Sequence, residues 1–442
     1  MNNQWCAVAG LRCRQNCMMH SSPLRTVSLS AKMEVTSSEK GITTMENFDG
    51  YLEKHFVDPH GVIYTFIDAA TLKPADDAFY EPFADIKPIL FNSPCHWGPD
   101  NFTPSELGTY ENCGMTTGAY LNSLCSALRT PGSDTEEIRE RAKRSFDALV
   151  YIYNTGQTWE KGFFPKIWGN RLSHQTSTDQ CLYTVHSMHN YYPFASEADR
   201  EKIAEIIIGI AEFWQRRKYV LTYFDRVNMV WPPLRFPPLL MLAYRYSGKE
   251  AFRKEALRIL NEHRDIVPEY LVRNGYLYCS ADHMTMDTMN FELMVDFAPL
   301  PEEWFEILYS GLRKEWGQYR KSLTEDGFFW INMCYDQKTE TAVPREKECP
   351  RSGWSTMIVR AGLQLSRLIP EIYPDARKAA ELVLNKLAPE EMYYYHPDDK
   401  EQLAPERRYQ MLFLSGDAIA NRQWAYRLLR EYDAKGHIDG GY

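Results

Sequence analysis

The sequence lacks the marks of several protein classes. It has no run of about 18 uncharged apolar residues, the length that a membrane-spanning helix needs. Arg12 and Arg14 interrupt the start, so a secretory signal is not expected. None of the ten cysteines forms a C-x-x-C pair, and free thiols are typical of a reducing compartment. These absences predict a soluble, cytoplasmic protein.

Positive net charge is also missing. Lys and Arg number 50 and Asp and Glu 59, which gives a net charge of -9. Proteins that bind nucleic acid through bulk electrostatics carry an excess of Lys and Arg instead. We therefore expect neither a nucleic-acid nor a membrane partner, and any acidic ligand must be held by local arginines.

No linker rich in Ser, Gly or Pro divides the chain after residue 50, so its 442 residues favour one large domain. Residues 1–44 are expected to be disordered or to precede the true start. Residues 45–104 read as an N-terminal segment that packs on the main domain, with an early helix and a strand at Val62–Ile67. Residues 105–442 form the main domain.

Six helical hairpins are predicted from about Glu106 to the end of the chain. In the more regular pairs the first helix is the more apolar and the second carries a charged face, which predicts an inner ring and an outer wall. The fold class is all-α, an (α/α)6 toroid with small β elements in its loops. The pairs are Tyr110–Leu128 with Thr135–Tyr153, Asp179–Tyr191 with Glu197–Lys218, Leu234–Tyr246 with Lys249–Val272, Met286–Phe297 with Glu302–Ser322, Trp354–Leu368 with Tyr373–Leu387, and Arg407–Ala420 with Asn421–Tyr432.

Three carboxylates lie where inner helices begin, and sugar-bond cleavage needs such groups for proton transfer. Asp179 falls in the first turn of the second inner helix, where the helix dipole alone would also favour an acid. Asp225 lies among aromatic residues before the third inner helix, a setting that raises a carboxyl pKa, although an ion pair with Arg226 is an alternative. Glu111 opens the first inner helix. We predict these three as catalytic.

Polar and aromatic residues near the same helix starts are predicted to bind substrate. Aromatic residues make up 14% of the chain, and their rings suit sugar faces as well as protein cores. Arginines near the rim would hold a uronate carboxylate, or form ordinary ion pairs. The predicted binding residues are Asn112, Trp168, Arg171, His174, Gln180, Trp231, Arg235, Asp282, His283, Arg351 and Trp354.

Two histidines, His186 and His189, share a helical face at a spacing compatible with a metal pair. No third ligand stands at a recognisable interval, so core or rim histidines are the better interpretation. The sequence predicts no metal and no cofactor.

Three segments carry a resemblance to a known superfamily. They are Glu111–Leu121 (ENCGMTTGAYL), Ser177–Gln180 (STDQ) and Trp231–Leu234 (WPPL) with its continuation Leu242–Gly248 (LAYRYSG). Together they resemble the six-hairpin glycosidases, and most of all the unsaturated glucuronyl and rhamnogalacturonyl hydrolases. The resemblance covers residues 106 to 432. It implies an (α/α)6 toroid, a general acid/base aspartate at the mouth of the cup and a uronic-acid-bearing oligosaccharide as substrate.

The sequence therefore predicts a glycoside hydrolase that acts on small, uronic-acid-containing oligosaccharides. The reaction is either direct hydrolysis or hydration of an unsaturated uronyl residue. Three alternatives stay open: a sugar isomerase of the N-acylglucosamine-epimerase type, in which His283 with His186 or His174 would transfer protons, a uronate polysaccharide lyase, and a non-catalytic sugar-binding toroid.

Overall fold

A computed structural model describes residues 47–83, 95–97, 100–223, 226–229, 235–264, 276–297, 302–330, 332–336, 341–344 and 351–435. The α-helices of these ranges are α1 (Asn47–Phe56), α2 (Asp77–Tyr80), α3 (Pro104–Tyr110), α4 (Cys113–Arg129), α5 (Glu136–Gln157), α6 (Thr178–Tyr191), α7 (Glu197–Arg216), α8 (Pro237–Ser247), α9 (Glu250–Glu262), α10 (Ala281–Phe297), α11 (Glu302–Lys321), α12 (Ser355–Leu368), α13 (Tyr373–Leu384) and α14 (Gly416–Ala434). The strands are β1 (Phe66–Asp68), β2 (Cys95–Trp97), β3 (Asp100–Phe102), β4 (Val220–Tyr223), β5 (Arg226–Met229), β6 (Tyr276–Ser280), β7 (Asn332–Asp336), β8 (Thr341–Pro344) and β9 (Phe413–Ser415).

Alternate helices form a closed inner ring. Helix α4 packs against α6 and also against α14, the last helix of the described chain. Helix α10 packs against α6, α8 and α12, and α12 packs in turn against α14. The inner helices are buried along almost their whole length, from Cys113 to Leu128 in α4. This arrangement confirms the predicted all-α toroid.

The first five hairpins are confirmed, and most of their ends move by five residues or fewer. In the third hairpin, α9 ends at Glu262, and residues 265–272 of the predicted range lie outside the described residues. Each pair joins an inner helix to the helix that follows it, from α4–α5 to α12–α13. Two outer helices begin at capping residues: the hydroxyls of Thr135 and Ser196 accept hydrogen bonds from the backbone N–H of Ile138 and Asp199. Gly248 ends α8 in a left-handed conformation at φ 67°, which glycine adopts without strain.

The prediction of the sixth hairpin is wrong. Residues 405–412 form a 3₁₀ helix and Phe413–Ser415 a buried strand, after which Gly416–Ala434 runs as one unbroken helix. Ser415 caps this helix by accepting a hydrogen bond from the backbone N–H of Ala418. The cap fixes the start at residue 416, so the proposed break at Ala420–Asn421 lies inside a helix.

The outer partner of α14 comes from the other end of the chain. Helix α1 packs against α14, where Arg427 pairs with Asp49 and Gln423 donates to the same carboxylate at 2.8 Å. The neighbouring strands β1 and β9 pair antiparallel, with Phe66 opposite Ser415. The predicted N-terminal segment therefore supplies the helix that completes the sixth pair.

The starts of the inner helices meet at one rim. Thr116 near the start of α4 donates to Asp417 of α14, and the Thr356 hydroxyl of α12 bonds to the Ala418 carbonyl at 2.9 Å. Arg235, just before α8, contacts Met286 of α10. Within the described ranges, no helix combines the length and the apolar character needed to cross a membrane.

Candidate functional site

Glu111 lies at the junction of α3 and α4, on the rim. Its carboxylate accepts a hydrogen bond from Lys166 Nζ at 2.9 Å, and its carbonyl oxygen accepts a second bond from the same amine at 2.8 Å. The Lys166 side chain is only 2% exposed, whereas that of Glu111 is 22% exposed. The buried amine therefore fixes the carboxylate, whose Oε2 is itself buried, although the Glu111 side chain as a whole is partly exposed.

Asp179 is the second residue of α6 and is partly exposed. Its neighbour Gln180 is buried and donates from Nε2 to the Glu111 carbonyl at 2.7 Å. This bond ties the first turn of α6 to the junction before α4. Two of the predicted catalytic carboxylates, Glu111 and Asp179, thus share one side of the rim.

A third acid on this rim is Asp417, in the first turn of α14. It is fully buried and accepts hydrogen bonds from the Thr116 hydroxyl and, at 3.4 Å, from Asn112 Nδ2. The backbone N–H of Asn112 donates to the Thr65 hydroxyl at 2.6 Å. The predicted binding residue Asn112 is therefore held from two sides, directly after Glu111.

Arg235 lies at the rim between α6 and α8. One of its terminal nitrogens donates to Met286 Sδ at 2.8 Å, and the side chain lines a pocket together with Thr178. Because Thr178 precedes Asp179, the predicted uronate-binding arginine and the predicted acid lie on the same part of the rim.

Below the rim, a histidine and a glutamate form a buried pair. His186 Nε2 is 2.8 Å from Glu292 Oε2, and Gln364 Nε2 donates to the same oxygen at 2.7 Å. His186 follows Asp179 by seven residues, nearly two helical turns, so both lie on one face of α6 about 10 Å apart along its axis.

The pair is ionised on the glutamate side. Burial alone would raise the pKa of Glu292, but the positive charge of Arg367 and the bond from His186 lower it to about 2. Burial lowers the pKa of His186, despite the opposing charge of Glu292. His186 Nδ1 lies 3.0 Å from Asn122 Oδ1 and 3.2 Å from Asn190 Nδ2, so both ring nitrogens have polar partners.

Arg360 is a second buried charge in the ring and is 0% exposed. It donates to Asn421 Oδ1 at 3.0 Å and to the Tyr183 hydroxyl at 2.7 Å, and its guanidinium lies 4.4 Å from the centre of the Trp424 ring. Helices α6, α12 and α14 are thereby joined through one cation.

The loop before α6 uses its predicted sugar-binding residues for packing. Trp168 is fully buried and meets the edge of Phe102 at 5.3 Å between ring centres. Arg171 lies over the same Phe102 ring at 3.9 Å and pairs with Glu106 at 3.0 Å. His174 packs edge-on against Trp159. Of this loop, Arg171 and His174 remain accessible.

Two further predicted residues lie near the start of α12. Arg351 forms ion pairs with Asp398 at 3.4 Å and with Asp326 at 3.9 Å. Trp354 is 8% exposed and packs edge-on against Tyr394. Both therefore take part in structural contacts beside the rim.

Four predicted residues cannot be placed among these contacts. Asp225 and Trp231 lie outside the described residues, and the side chains of Asp282 and His283, at the start of α10, are not described either. Their roles stay predictions.

Sequence reasoning did not select Lys166, Asp417, Glu292 or Arg360. Lys166 lies in a loop between aromatic and apolar residues, and these neighbours indicate a hydrophobic segment. Glu292 and Arg360 stand within apolar helical patterns, and a charge in such a pattern was itself a usable signal, since charges are almost never fully buried unless paired.

Comparison with known proteins identifies the fold. No protein-family model matches the sequence, and no curated protein is similar to it. A solved sugar epimerase from a ruminal bacterium superposes with a TM-score of 0.51 at 12% identity, over 88% of this chain and 97% of that one. A solved alpha-amylase from Clostridium perfringens gives 0.50 at 12% identity, over 86% and 96%.

A solved D-mannose isomerase gives a TM-score of 0.49 at 11% identity, over 89% of this chain and 98% of that one. The superposition with the epimerase and the amylase extends over most of both chains. This protein therefore shares its all-α toroidal fold with these two solved structures.

Proposed function

We propose that this protein is a glycoside hydrolase that acts on small, uronic-acid-containing oligosaccharides. One observation carries the proposal: Glu111 and Asp179, two partly exposed acidic residues from different helical pairs, lie on the same side of the rim. Cleavage of a glycosidic bond needs two such groups, one to deliver a proton and one to activate water or to attack the sugar.

The contacts of the two acids suggest different roles. Lys166 fixes the Glu111 carboxylate in place, which suits a group that stabilises positive charge on the sugar ring or directs a water molecule. Asp179, in the first turn of α6, would deliver the proton to the leaving oxygen. Asp225 remains a candidate for either role. The acid that delivers this proton could also protonate the double bond of an unsaturated uronyl residue.

Arg235 supports the choice of an acidic sugar. A protein with a net charge of -9 repels anions at long range, so a uronate needs a local cation. The planar guanidinium fits a carboxylate through two parallel hydrogen bonds. Arg235 lines a rim pocket with the residue that precedes Asp179, which would place a bound carboxylate near the proposed acid.

The first experiment is a turnover screen. The purified protein is incubated with saturated and unsaturated uronyl oligosaccharides and with neutral analogues, while reducing ends and absorbance of the unsaturated bond are followed. New reducing ends, with or without loss of that absorbance, are expected. A gain of absorbance would indicate a lyase instead, and a lack of turnover across the panel would contradict the proposal.

The second experiment removes the acids. Asp179→Asn and Glu111→Gln should each lower kcat by roughly 10²- to 10⁴-fold, because positioned proton transfer contributes about that much. Asp147→Asn is the matched control, since Asp147 is an exposed acid on outer helix α5. Thermal melting checks that the variants are folded. Turnover near the wild-type value in both rim variants would remove them from the chemistry.

A sugar epimerase is the second candidate. His174 favours it, because this histidine remains accessible in the loop before α6 and an accessible imidazole can transfer protons at a sugar carbon. The structural likeness to a sugar epimerase is consistent with this chemistry. Such an enzyme would incorporate deuterium from heavy water into a monosaccharide without releasing a reducing end, and His174→Gln would abolish the exchange.

A further inference from the structure

A small pocket opens at the rim between inner helices α6 and α8. Its cavity volume is about 10 Å³, which leaves room for roughly one water-sized group. Its interior is formed by Cys181, Leu182 and Val185 of α6, Trp214 of α7, and Phe236 and Leu239 beside α8. Each of these six side chains is buried. The interior is therefore mostly apolar, with the Cys181 thiol and the Trp214 indole N–H as its polar groups.

The thiol does not bring charge into the pocket. Burial raises the pKa of Cys181 to about 12, so the group is protonated at neutral pH and behaves as a small hydrophobe. Deep in the pocket, an apolar group of a ligand would be bound more favourably than a charged or hydroxylated one.

The two polar lining residues, Arg235 and Thr178, are partly exposed and so mark the mouth. The guanidinium of Arg235 contacts the sulfur of Met286, a weak acceptor. A guanidinium has five donor positions in a planar fork, which suits a carboxylate. The mouth therefore complements an anion, and the interior complements an apolar group.

The pocket adjoins the proposed acid. Thr178, Leu182 and Val185 line one face of α6, whereas Asp179 lies on the face next to it, about 100° around the helix axis. A sugar ring in contact with Asp179 can thus direct one substituent into the pocket.

We propose that the pocket binds the methyl group of an O-methyl or O-acetyl substituent on an acidic sugar, while Arg235 binds the carboxylate of that sugar. The site then selects substituted uronates over plain ones. This inference rests on the proposed function for the kind of sugar, but binding can be measured without turnover.

The test compares glucuronic acid with its O-methyl and O-acetyl derivatives by isothermal titration calorimetry on the full-length protein. Burial of one methyl group should make at least one derivative bind about 4- to 10-fold tighter than the parent acid. Val185→Ile adds a methyl group to the lining and should reduce this preference to less than about 2-fold. The control Val359→Ile makes the same change in buried α12, away from the pocket, and should retain it.

Arg235→Ala separates the two parts of the site. It should weaken binding of all uronates, while the methyl preference persists among those that still bind. Equal affinity of the wild type for parent and derivatives would overturn the inference, even if uronyl turnover is found. A methyl preference without turnover would support the pocket and contradict the hydrolase proposal.

Discussion

Glu292 holds a negative charge in the middle of the ring, where burial opposes ionisation. His186, Gln364 and Arg367 supply the compensating contacts, at 2.8, 2.7 and 3.5 Å. They come from α6 and α12, so one carboxylate joins three inner helices. Removing one member of such a buried pair is costly, because the other member would keep its charge in the interior without an opposite charge beside it.

At the scale of this residue, Glu292→Gln should lower the free energy of unfolding by about 2 to 3 kcal/mol, the range for a lost charge-assisted hydrogen bond. Glu371→Gln is the control, because its carboxylate is 57% exposed and pairs only at the surface with Arg313. That change should stay within about 0.5 kcal/mol. Urea denaturation at pH 7 measures both, and equal losses would show that the buried pair adds no stability.

At the scale of elements, helical periodicity predicted the five pairs whose members are consecutive in the chain. The sixth pair could not be found in this way, because its outer helix α1 and inner helix α14 lie at opposite ends of the chain. The predicted sixth hairpin placed both of its helices in the C-terminal part of the chain and therefore divided α14 in two. The strand Phe413–Ser415 was also missed, since three residues carry too little pattern.

The candidate site was predictable only in part, for a related reason. Glu111 and Asp179 were selected because helix starts share an end of a toroid, and the structure places both on one rim. Lys166 and Asp417 act through contacts between segments far apart in sequence, so spacing gave no sign of them. The burial of Trp168 likewise follows from its packing on Phe102.

The closure of the sixth pair gives a prediction for α1. Asp49 is buried and bonds to Arg427, Gln423 and Arg141, so Asp49→Ala should lower the free energy of unfolding by about 3 to 5 kcal/mol. Glu137→Ala removes a 69% exposed partner of the same Arg141 and should cost less than about 1 kcal/mol. Denaturant titration compares the two. Similar losses would mean that α1 does not hold the ring closed.

At the scale of the whole molecule, most of the acids and histidines whose pKa values are shifted act on the stability of the fold in the same direction as pH changes. Burial raises the pKa of Glu292, Asp49 and Glu431, but nearby arginines lower each below its ordinary value. Burial lowers the pKa of His189 to about 3 and also that of His186. Asp58 opposes this trend, because burial raises its pKa. Five of these six groups favour the fold near neutral pH.

Acid should therefore weaken the fold in two stages. The histidines are neutral in the fold but take up protons in the unfolded chain below about pH 6.5, so unfolding becomes easier as pH falls from there. The lowered carboxyl pKa values add a second loss from about pH 4.5 downward. Urea denaturation at pH 7, 5.5 and 4 should give a free energy of unfolding that falls at each step. In His189→Gln, the decline from pH 7 to 5.5 should be smaller than in the wild type. A constant free energy from pH 7 to 5.5 would show that the buried histidines do not stay neutral in the fold.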